Sequence, residues 1–208
     1  MARPGLSKRR LLGLDRSGPN PEQTRSGQPL RPLTLPNLIG YLRLAAIPVF
    51  LTVALSSRDG RSGLAAALFA LIAWADYLDG LTARLTGQFS RLGALLDPIV
   101  DRLLVISGMV VCWEFRLLPR WAIALVVVRE LLMLVLSRYS LRRGREITIN
   151  WPGRLGVAPT MGAPFFAMAG VRWLALALLY AGLVLAWLAA ALYVRSGLAE
   201  LRKVSSST

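Results

Sequence analysis

Four aspartates stand at helical spacings in the stretch DYLDGLTARLTGQFSRLGALLDPIVD, which covers residues 76–101. Asp76 and Asp79 are three positions apart and Asp97 and Asp101 are four apart, so each pair shares one face of a helix. Carboxylates that converge in a medium of low dielectric repel one another and must take up protons or bind cations. Oxygen ligands without His or Cys favour a hard ion. The pattern therefore predicts a site for Mg²⁺ or Mn²⁺, with enough carboxylates for two ions.

Small and basic residues beside the aspartates indicate what the metal ions would bind. Gly80 and Ala83 follow Asp79 on the same helix and Gly93 precedes Asp97, so the helix surfaces there are bare enough for a bulky ligand. Arg84 adds a guanidinium fork that suits a phosphate or a base edge. Hard ions held by few carboxylates keep coordination positions for phosphate oxygens. The sequence thus predicts a site for a nucleotide diphosphate.

Other reactive side chains are scarce. The chain has no histidine and one cysteine, Cys112, which lies in an apolar run. A disulfide framework and a thiolate metal site are therefore excluded, and a general base must be a carboxylate or another group with a shifted pKa.

The elements that position these residues are predicted to be membrane helices. Apolar residues make up 55% of the 208-residue chain and the mean hydropathy is +0.52, which is typical of an integral membrane protein. We predict an all-α protein with six transmembrane helices and an Asp-lined active site on the cytoplasmic side. The membrane domain is predicted over 34–197, between a disordered basic tail (1–33) and a short cytoplasmic tail (198–208). The six apolar runs cover residues 37–56, 64–79, 92–113, 119–137, 155–170 and 173–194.

The distribution of positive charge predicts the orientation. Seventeen Lys and Arg residues flank the predicted spans on one side and five lie on the other. The positive-inside rule then places both termini in the cytoplasm of a multi-pass protein in the cell membrane. This topology explains the net charge of +14 better than nucleic-acid binding does, since the basic residues are spread over loops.

The aspartate stretch resembles the motif of the CDP-alcohol phosphatidyltransferase family. Asp76-x-x-Asp79-Gly80-x-x-Ala83-Arg84, eight residues, and Gly93-x-x-x-Asp97-x-x-x-Asp101 match it at every position. The resemblance implies transfer of a phosphatidyl group from CDP-diacylglycerol to an alcohol, with release of CMP, by a homodimer. It implies that the first three aspartates bind two Mg²⁺ ions, that Asp101 binds metal and also acts as the base, and that Gly80 and Arg84 hold the nucleotide.

Four residues outside the aspartates are further candidates for substrate binding. Asn37 and Arg43 resemble positions that lead into the first helix of this family and approach the donor lipid; the alternatives are a helix cap and a snorkelling anchor. Ser90 is either a ligand of the donor phosphate or the N-cap of a new helix. Arg129, followed by Glu130, is similar to an Arg-Glu pair in phosphatidylglycerophosphate synthases and is a candidate for binding an acceptor phosphate, with a structural ion pair as the alternative.

The acceptor is less well defined than the donor. The Arg129–Glu130 pair and the basic loop at 138–154 favour glycerol 3-phosphate. Cardiolipin synthases, which use phosphatidylglycerol, are similar in SRLGALLDP, and inositol phosphate is a third possibility. The chain also departs from the Gly-Lys-x-x-Thr of many relatives that use these glycerol acceptors, since it has Gly153-Arg154-Leu155-Gly156-Val157. The positive charge is kept and the hydroxyl is lost.

Two other classes of membrane protein bury aspartates. A prenyltransferase also binds Mg-diphosphate, but it does not require Gly80, Ala83, Arg84 and Gly93 at these intervals. A transporter or proton relay would be expected to show inverted repeats or broken helices, which are not evident in the sequence.

Overall fold

A computed structural model describes the backbone of residues 29–142 and 151–205, and the side chains of residues 29–132, 156 and 158–192. The regular structure within these ranges is entirely helical, which confirms the all-α prediction. The helices are α1 (Leu35–Leu55), α2 (Gly63–Thr86), α3 (Arg91–Glu114), α4 (Arg120–Arg142), α5 (Trp151–Met168) and α6 (Arg172–Ser205).

The two predicted tails and the predicted basic loop lie partly outside the residues that the structure describes. Most of the 1–33 tail, the centre of the 138–154 loop and the last three residues of the 198–208 tail lie outside the described residues, as do the side chains of 153–155 and 157. Within the described backbone, α4 and α5 extend into the predicted loop from both sides. Helix α6 also continues into the predicted C-terminal tail as far as Ser205.

Three helices are long and apolar enough to cross a membrane, among the residues for which side chains are described. They are α1, α2 and the Arg172–Leu192 part of α6. A helix of 21 residues rises about 30 Å, the thickness of the hydrocarbon core. Large apolar side chains on these helices are exposed, Leu42, Leu71 and Val184 among them, as expected for surfaces that face lipid. Length, composition and exposed apolar surface together indicate a membrane-associated protein.

The described chain divides into two compact units. The first contains the chain up to Thr52 together with Ala67–Leu104, and it includes all four aspartates of the motif. Its core contains Phe50 and Phe69, both buried, whose rings meet edge to face at 5.5 Å. The second contains Val53–Ala66 and the chain from Val105 onward. There α5 packs along α6.

Helix α2 is longer than its apolar run because polar residues continue the helix. The run ends at residue 79, whereas the helix ends at Thr86, where Gly87 adopts a φ of +68°. Glycine tolerates this left-handed conformation and commonly ends helices. Helix α3 starts soon afterwards, with the Ser90 hydroxyl accepting a bond of 2.9 Å from the Gly93 N–H. This N-cap geometry confirms one of the two predictions for Ser90 and keeps the α2–α3 connection short.

The beginning of α1 is hydrogen-bonded to the α2–α3 connection. The buried Asn37 accepts a bond of 2.8 Å from the Ser90 hydroxyl through its Oδ1 atom. Its Nδ2 atom donates to the carbonyls of Arg31 and Pro32, at 3.0 and 3.2 Å. Thr34 caps α1, since its Oγ1 accepts from the Asn37 N–H at 3.4 Å. Asn37 therefore does not act as the N-cap; it links the first helix to the start of the third.

Two further bonds strengthen this connection. The Leu35 N–H donates to Oε1 of Gln88 at 3.1 Å, and the Leu92 N–H donates to the Leu30 carbonyl at 3.3 Å. The first N–H groups of a helix have no partner within the helix, so Gln88 supplies one from the α2–α3 connection. These bonds fix where α1 begins relative to the segment between the two halves of the motif.

Gly93 lies at the centre of this contact. A Cβ atom built on Gly93 would lie 2.7 Å from Oδ1 of Asn37 and 3.1 Å from Oγ of Ser90. Both distances are shorter than a normal van der Waals contact, and both side chains are held by hydrogen bonds. The absence of a side chain at Gly93 therefore has a packing reason within the protein itself, separate from the predicted approach of a ligand.

We expect Gly93→Ala to lower the thermal unfolding temperature of the detergent-solubilised protein. Forcing a methyl group into a packed site costs about 1–3 kcal/mol. Gly40→Ala is the matched control, because its Cβ would meet no atom within 4 Å and alanine favours a helix interior by about 1 kcal/mol. In an Asn37→Ala background the cost of Gly93→Ala should shrink, since the closest clashing atom is gone. Equal unfolding temperatures for the Gly93 and Gly40 variants would contradict this account.

Candidate active site

Arg43 of α1 lies at the centre of the predicted aspartate site. It is 2% exposed. Its Nη1 atom donates to Oδ1 of Asp76 at 2.8 Å and to Oδ2 of Asp79 at 3.0 Å, and its Nη2 atom donates to Oδ1 of Asp101 at 2.6 Å. Its Nε atom donates to the carbonyl of Ile72 at 3.1 Å. One guanidinium thus connects α1 to carboxylates of both α2 and α3.

The helical spacing places the carboxylates as the sequence predicts. Asp76 and Asp79 share a face of α2 closely enough to bond the same Arg43 nitrogen. Asp97 is half-buried on α3 and interacts electrostatically with Asp76, Asp79 and Asp101. The two carboxylate pairs therefore converge across the α2–α3 connection.

The exposure of the carboxylates differs along the cluster. The side chain of Asp79 is 6% exposed, whereas those of Asp76 and Asp101 are 43% and 32% exposed. A ligand can therefore reach Asp76 and Asp101 directly, while Asp79 lies deeper. A general base must come within hydrogen-bond reach of the proton that it accepts, and the exposure of Asp101 meets this requirement.

The motif carboxylates attract cations. The Arg43 guanidinium bonds three of the four, and carboxylates that meet in a medium of low dielectric repel one another unless cations lie between them. The donor atoms are all carboxylate oxygens, which hard divalent ions prefer. Among the described residues, no three Asp, Glu, His or Cys side chains form a ready-made metal site, and the Arg43 guanidinium lies between the carboxylates. The chemistry and charge of the donor set therefore fit a divalent ion, provided that the oxygens draw closer together.

Arg84 lies against Gly80, as their spacing on α2 predicts. Its Nη1 atom is 3.3 Å from the position that a Cβ atom on Gly80 would occupy. Ala83 is half-buried beside it. The absence of a side chain at Gly80 thus leaves room for the Arg84 side chain.

The other candidate residues lie outside this cluster. Asn37, Ser90 and Gly93 contact one another at the α1–α3 link, and the polar side-chain atoms of Asn37 are already bonded to the protein. Arg129 belongs to the second unit, where its Nη1 atom donates to Glu130. Both side chains are 12% exposed. The buried Nε of Arg129 has no hydrogen-bond partner among the described residues, so it is an unsatisfied donor.

Arg43 is the residue whose position sequence reasoning missed. The burial of its side chain argues against the snorkelling anchor, and its bonds to three of the four motif aspartates belong to neither of the two interpretations from sequence. A signal was present, since an arginine inside an apolar span requires a counter-charge. Gln88 had no comparable signal, because it lies among the unspecified positions of the motif.

Comparison with known proteins supplies the family. Residues 33–195 match the CDP-alcohol phosphatidyltransferase family. The chain is 36% identical to a cardiolipin synthase (CMP-forming) of Streptomyces coelicolor over 177 residues, which cover 79% of this chain and 82% of the relative. It is 35% identical to a probable phosphatidylglycerophosphate synthase of Mycobacterium tuberculosis over 138 residues, covering 65% and 66% of the two chains. It is 29% identical to an Escherichia coli CDP-diacylglycerol--glycerol-3-phosphate 3-phosphatidyltransferase over 165 residues, covering 76% and 87%. The motif, the helical fold and these matches show that the chain belongs to the CDP-alcohol phosphatidyltransferase family.

Proposed function

We propose that this CDP-alcohol phosphatidyltransferase transfers a phosphatidyl group from CDP-diacylglycerol to the hydroxyl group of a glycerol-containing phosphate ester, and releases CMP. The observation that carries the proposal is the convergence of the motif carboxylates, with Asp76 and Asp101 exposed to a ligand. In the reaction the acceptor oxygen bonds to the phosphatidyl phosphorus while the bond from that phosphorus to the CMP oxygen breaks.

Dependence on divalent metal is general in this family. We propose that Asp76, Asp79, Asp97 and Asp101 hold two ions, with Mg²⁺ preferred and Mn²⁺ as a substitute. When bound, such ions neutralise the diphosphate and stabilise the charge on the leaving CMP oxygen. Arg84 would bind the nucleotide part of the donor. Asp101 would accept the proton of the acceptor hydroxyl, since it is the accessible carboxylate one turn beyond Asp97.

Glycerol 3-phosphate is the acceptor that the Arg129–Glu130 pair supports. The neighbouring carboxylate orients the Arg129 guanidinium through Nη1, which leaves the buried Nε to donate to a phosphate oxygen. The E. coli relative is named for glycerol 3-phosphate as its acceptor.

Phosphatidylglycerol is a second candidate, and a specific observation favours it. Of the relatives described above, the cardiolipin synthase of S. coelicolor has the highest identity to this chain and aligns over the largest share of it. Phosphatidylglycerol also carries a phosphate and a free glycerol hydroxyl, so the chemistry of Arg129 fits both acceptors.

The membrane topology remains part of the proposal. We propose six membrane-spanning helices in the cell membrane, with both termini in the cytoplasm, on the basis of the apolar runs and the positive-inside rule. The three helices that are apolar enough to span support it. Homodimerisation, which the family resemblance implies, stays a prediction.

A single assay separates the acceptors. Purified protein is given CDP-diacylglycerol and Mg²⁺ with glycerol 3-phosphate, phosphatidylglycerol or inositol phosphate in separate reactions, and CMP and the lipid product are measured. We expect CMP release with one of the two glycerol acceptors. Release only with inositol phosphate would contradict the proposed acceptor class, and release of pyrophosphate in place of CMP would contradict the reaction itself.

We expect Asp76→Asn, Asp79→Asn and Asp97→Asn each to lower the rate of CMP release by about 100-fold or more, because each removes a metal-binding charge while keeping the side-chain volume. Asp59→Asn is the matched control, since Asp59 is exposed in the α1–α2 connection. Its rate should equal that of the unmodified protein. A near-normal rate in any of the three motif variants would refute a shared metal site.

For Asp101 the proposal as base makes a different prediction. Asp101→Asn should still bind CDP-diacylglycerol in the presence of Mg²⁺ and fail in the chemical step, because the amide cannot accept the hydroxyl proton. The measurements are a donor-binding titration and single-turnover CMP release, with Asp76→Asn as the variant that loses a metal ligand. If Asp101→Asn loses donor affinity as fully as Asp76→Asn does, the role as base is wrong.

A further inference from the structure

The Arg43 guanidinium bonds three carboxylates at once, more than are needed to hold a single metal ligand in place. It bonds Asp76, Asp79 and Asp101 at 2.6–3.0 Å, and its Nε is anchored on the Ile72 carbonyl. The side chain is almost fully buried. Since Arg has no other charge state in proteins, it is a permanent cation in the middle of the carboxylates.

The bonds to Arg43 use oxygens of the same carboxylates that a divalent ion requires. Mg²⁺ holds its oxygen ligands at about 2.0–2.1 Å in a nearly octahedral arrangement. The Oδ1 of Asp76 and the Oδ2 of Asp79 are instead 2.8 and 3.0 Å from a single Nη1 atom. Two oxygens spread around a nitrogen at these distances must move to meet around a smaller ion.

Electrostatic repulsion, like the bond distances, indicates that Arg43 and a divalent ion cannot share these carboxylates unchanged. A guanidinium and a divalent ion that share the same carboxylates repel each other, and at about 4 Å that repulsion is large even for a moderately high effective dielectric constant. The cluster is more stable when the guanidinium withdraws from some of its carboxylate partners as the ion binds.

From these contacts we propose that Arg43 is a built-in cation that competes with divalent metal for Asp76, Asp79 and Asp101. Arg43 stabilises the carboxylate cluster when little metal is present and gives up carboxylate bonds when metal binds. The inference rests on the proposed metal-dependent function, because it requires that the ion bind these aspartates. It adds that the affinity for metal is set partly by a residue of α1 outside the motif.

The opposite possibility is that Arg43 only holds the carboxylates in place for the ion. The two roles differ in the sign of one measurable quantity. Removing a competitor strengthens metal binding, whereas removing a scaffold weakens it. Under both roles the removal of Arg43 lowers the stability of the protein without added metal, so stability alone does not separate them.

The test is a Mn²⁺ titration of the detergent-solubilised protein, followed by the EPR signal of free Mn²⁺, together with thermal unfolding with and without Mn²⁺. We expect Arg43→Gln to unfold at a lower temperature without Mn²⁺, to bind Mn²⁺ at least about tenfold more tightly, and to gain more unfolding temperature on Mn²⁺ addition. Arg58→Gln, which removes an equal charge from an exposed site, should change none of these. Weaker binding by Arg43→Gln would overturn the inference.

Two further measurements keep the test decisive if Arg43→Gln does not fold. Arg43→Lys keeps the charge but places all its donors on one nitrogen, so it cannot reproduce the bonds that Arg43 makes from Nη1, Nη2 and Nε; its Mn²⁺ affinity should therefore lie above that of the unmodified protein. In the unmodified protein, the ¹⁵N resonances of the Arg43 side chain, assigned by their loss in Arg43→Lys, should shift when Mg²⁺ is added. Unchanged resonances at a Mg²⁺ concentration that saturates the site would overturn the proposal.

Failure of the inference can be told apart from failure of the proposed function. If the unmodified protein binds Mn²⁺ and Asp79→Asn abolishes that binding, the metal site stands whatever Arg43→Gln shows. If the unmodified protein binds no Mn²⁺ in the presence of CDP-diacylglycerol, the metal-dependent function is wrong and this inference falls with it.

Discussion

The ion cluster around Arg43 imposes the strongest constraint on the described part of this protein. A buried guanidinium is stable only while its carboxylate partners stay in place, and breaking a buried ion pair costs roughly 3–5 kcal/mol. Those partners lie on α2 and α3, while the guanidinium lies on α1. The three helices are therefore bound to one another at the point where the carboxylates of the motif meet.

Helix α1 contacts the motif at two points although none of its residues belongs to it. Asn37 binds the start of α3 through Ser90, and Arg43, fewer than two helical turns further on, binds the aspartates. Two attachments on one rigid helix fix both its register and its rotation. The spacing between the two halves of the motif is then held from outside, by α1 and by the bond from Leu35 to Gln88.

We propose that the donor and the acceptor are determined by different parts of the chain. The chain is similar both to a cardiolipin synthase and to a CDP-diacylglycerol--glycerol-3-phosphate 3-phosphatidyltransferase, and under the proposed function the motif aspartates, Gly80 and Arg84 bind the donor. Residues outside the motif must distinguish a soluble phosphate ester from a lipid. Both proposed acceptors carry a phosphate, so the proposed role of Arg129 does not choose between them.

The sequence by itself determined the helical class and the shared faces of the aspartate pairs, because these depend on local periodicity and composition. The apolar run ends at residue 79, before the helix ends at Thr86, because hydropathy does not register the polar turns before Gly87, but the motif spacing already placed Arg84 on this helix. The carboxylate partners of Arg43 lie 33 to 58 residues away, and Asn37 and Ser90 are 53 residues apart. A local sequence pattern does not predict which distant side chain will form the hydrogen bond that a buried polar group requires. Only the tertiary structure decided that Arg43 bonds three of the aspartates and that Gly93 leaves room for Asn37, because both follow from how the helices pack.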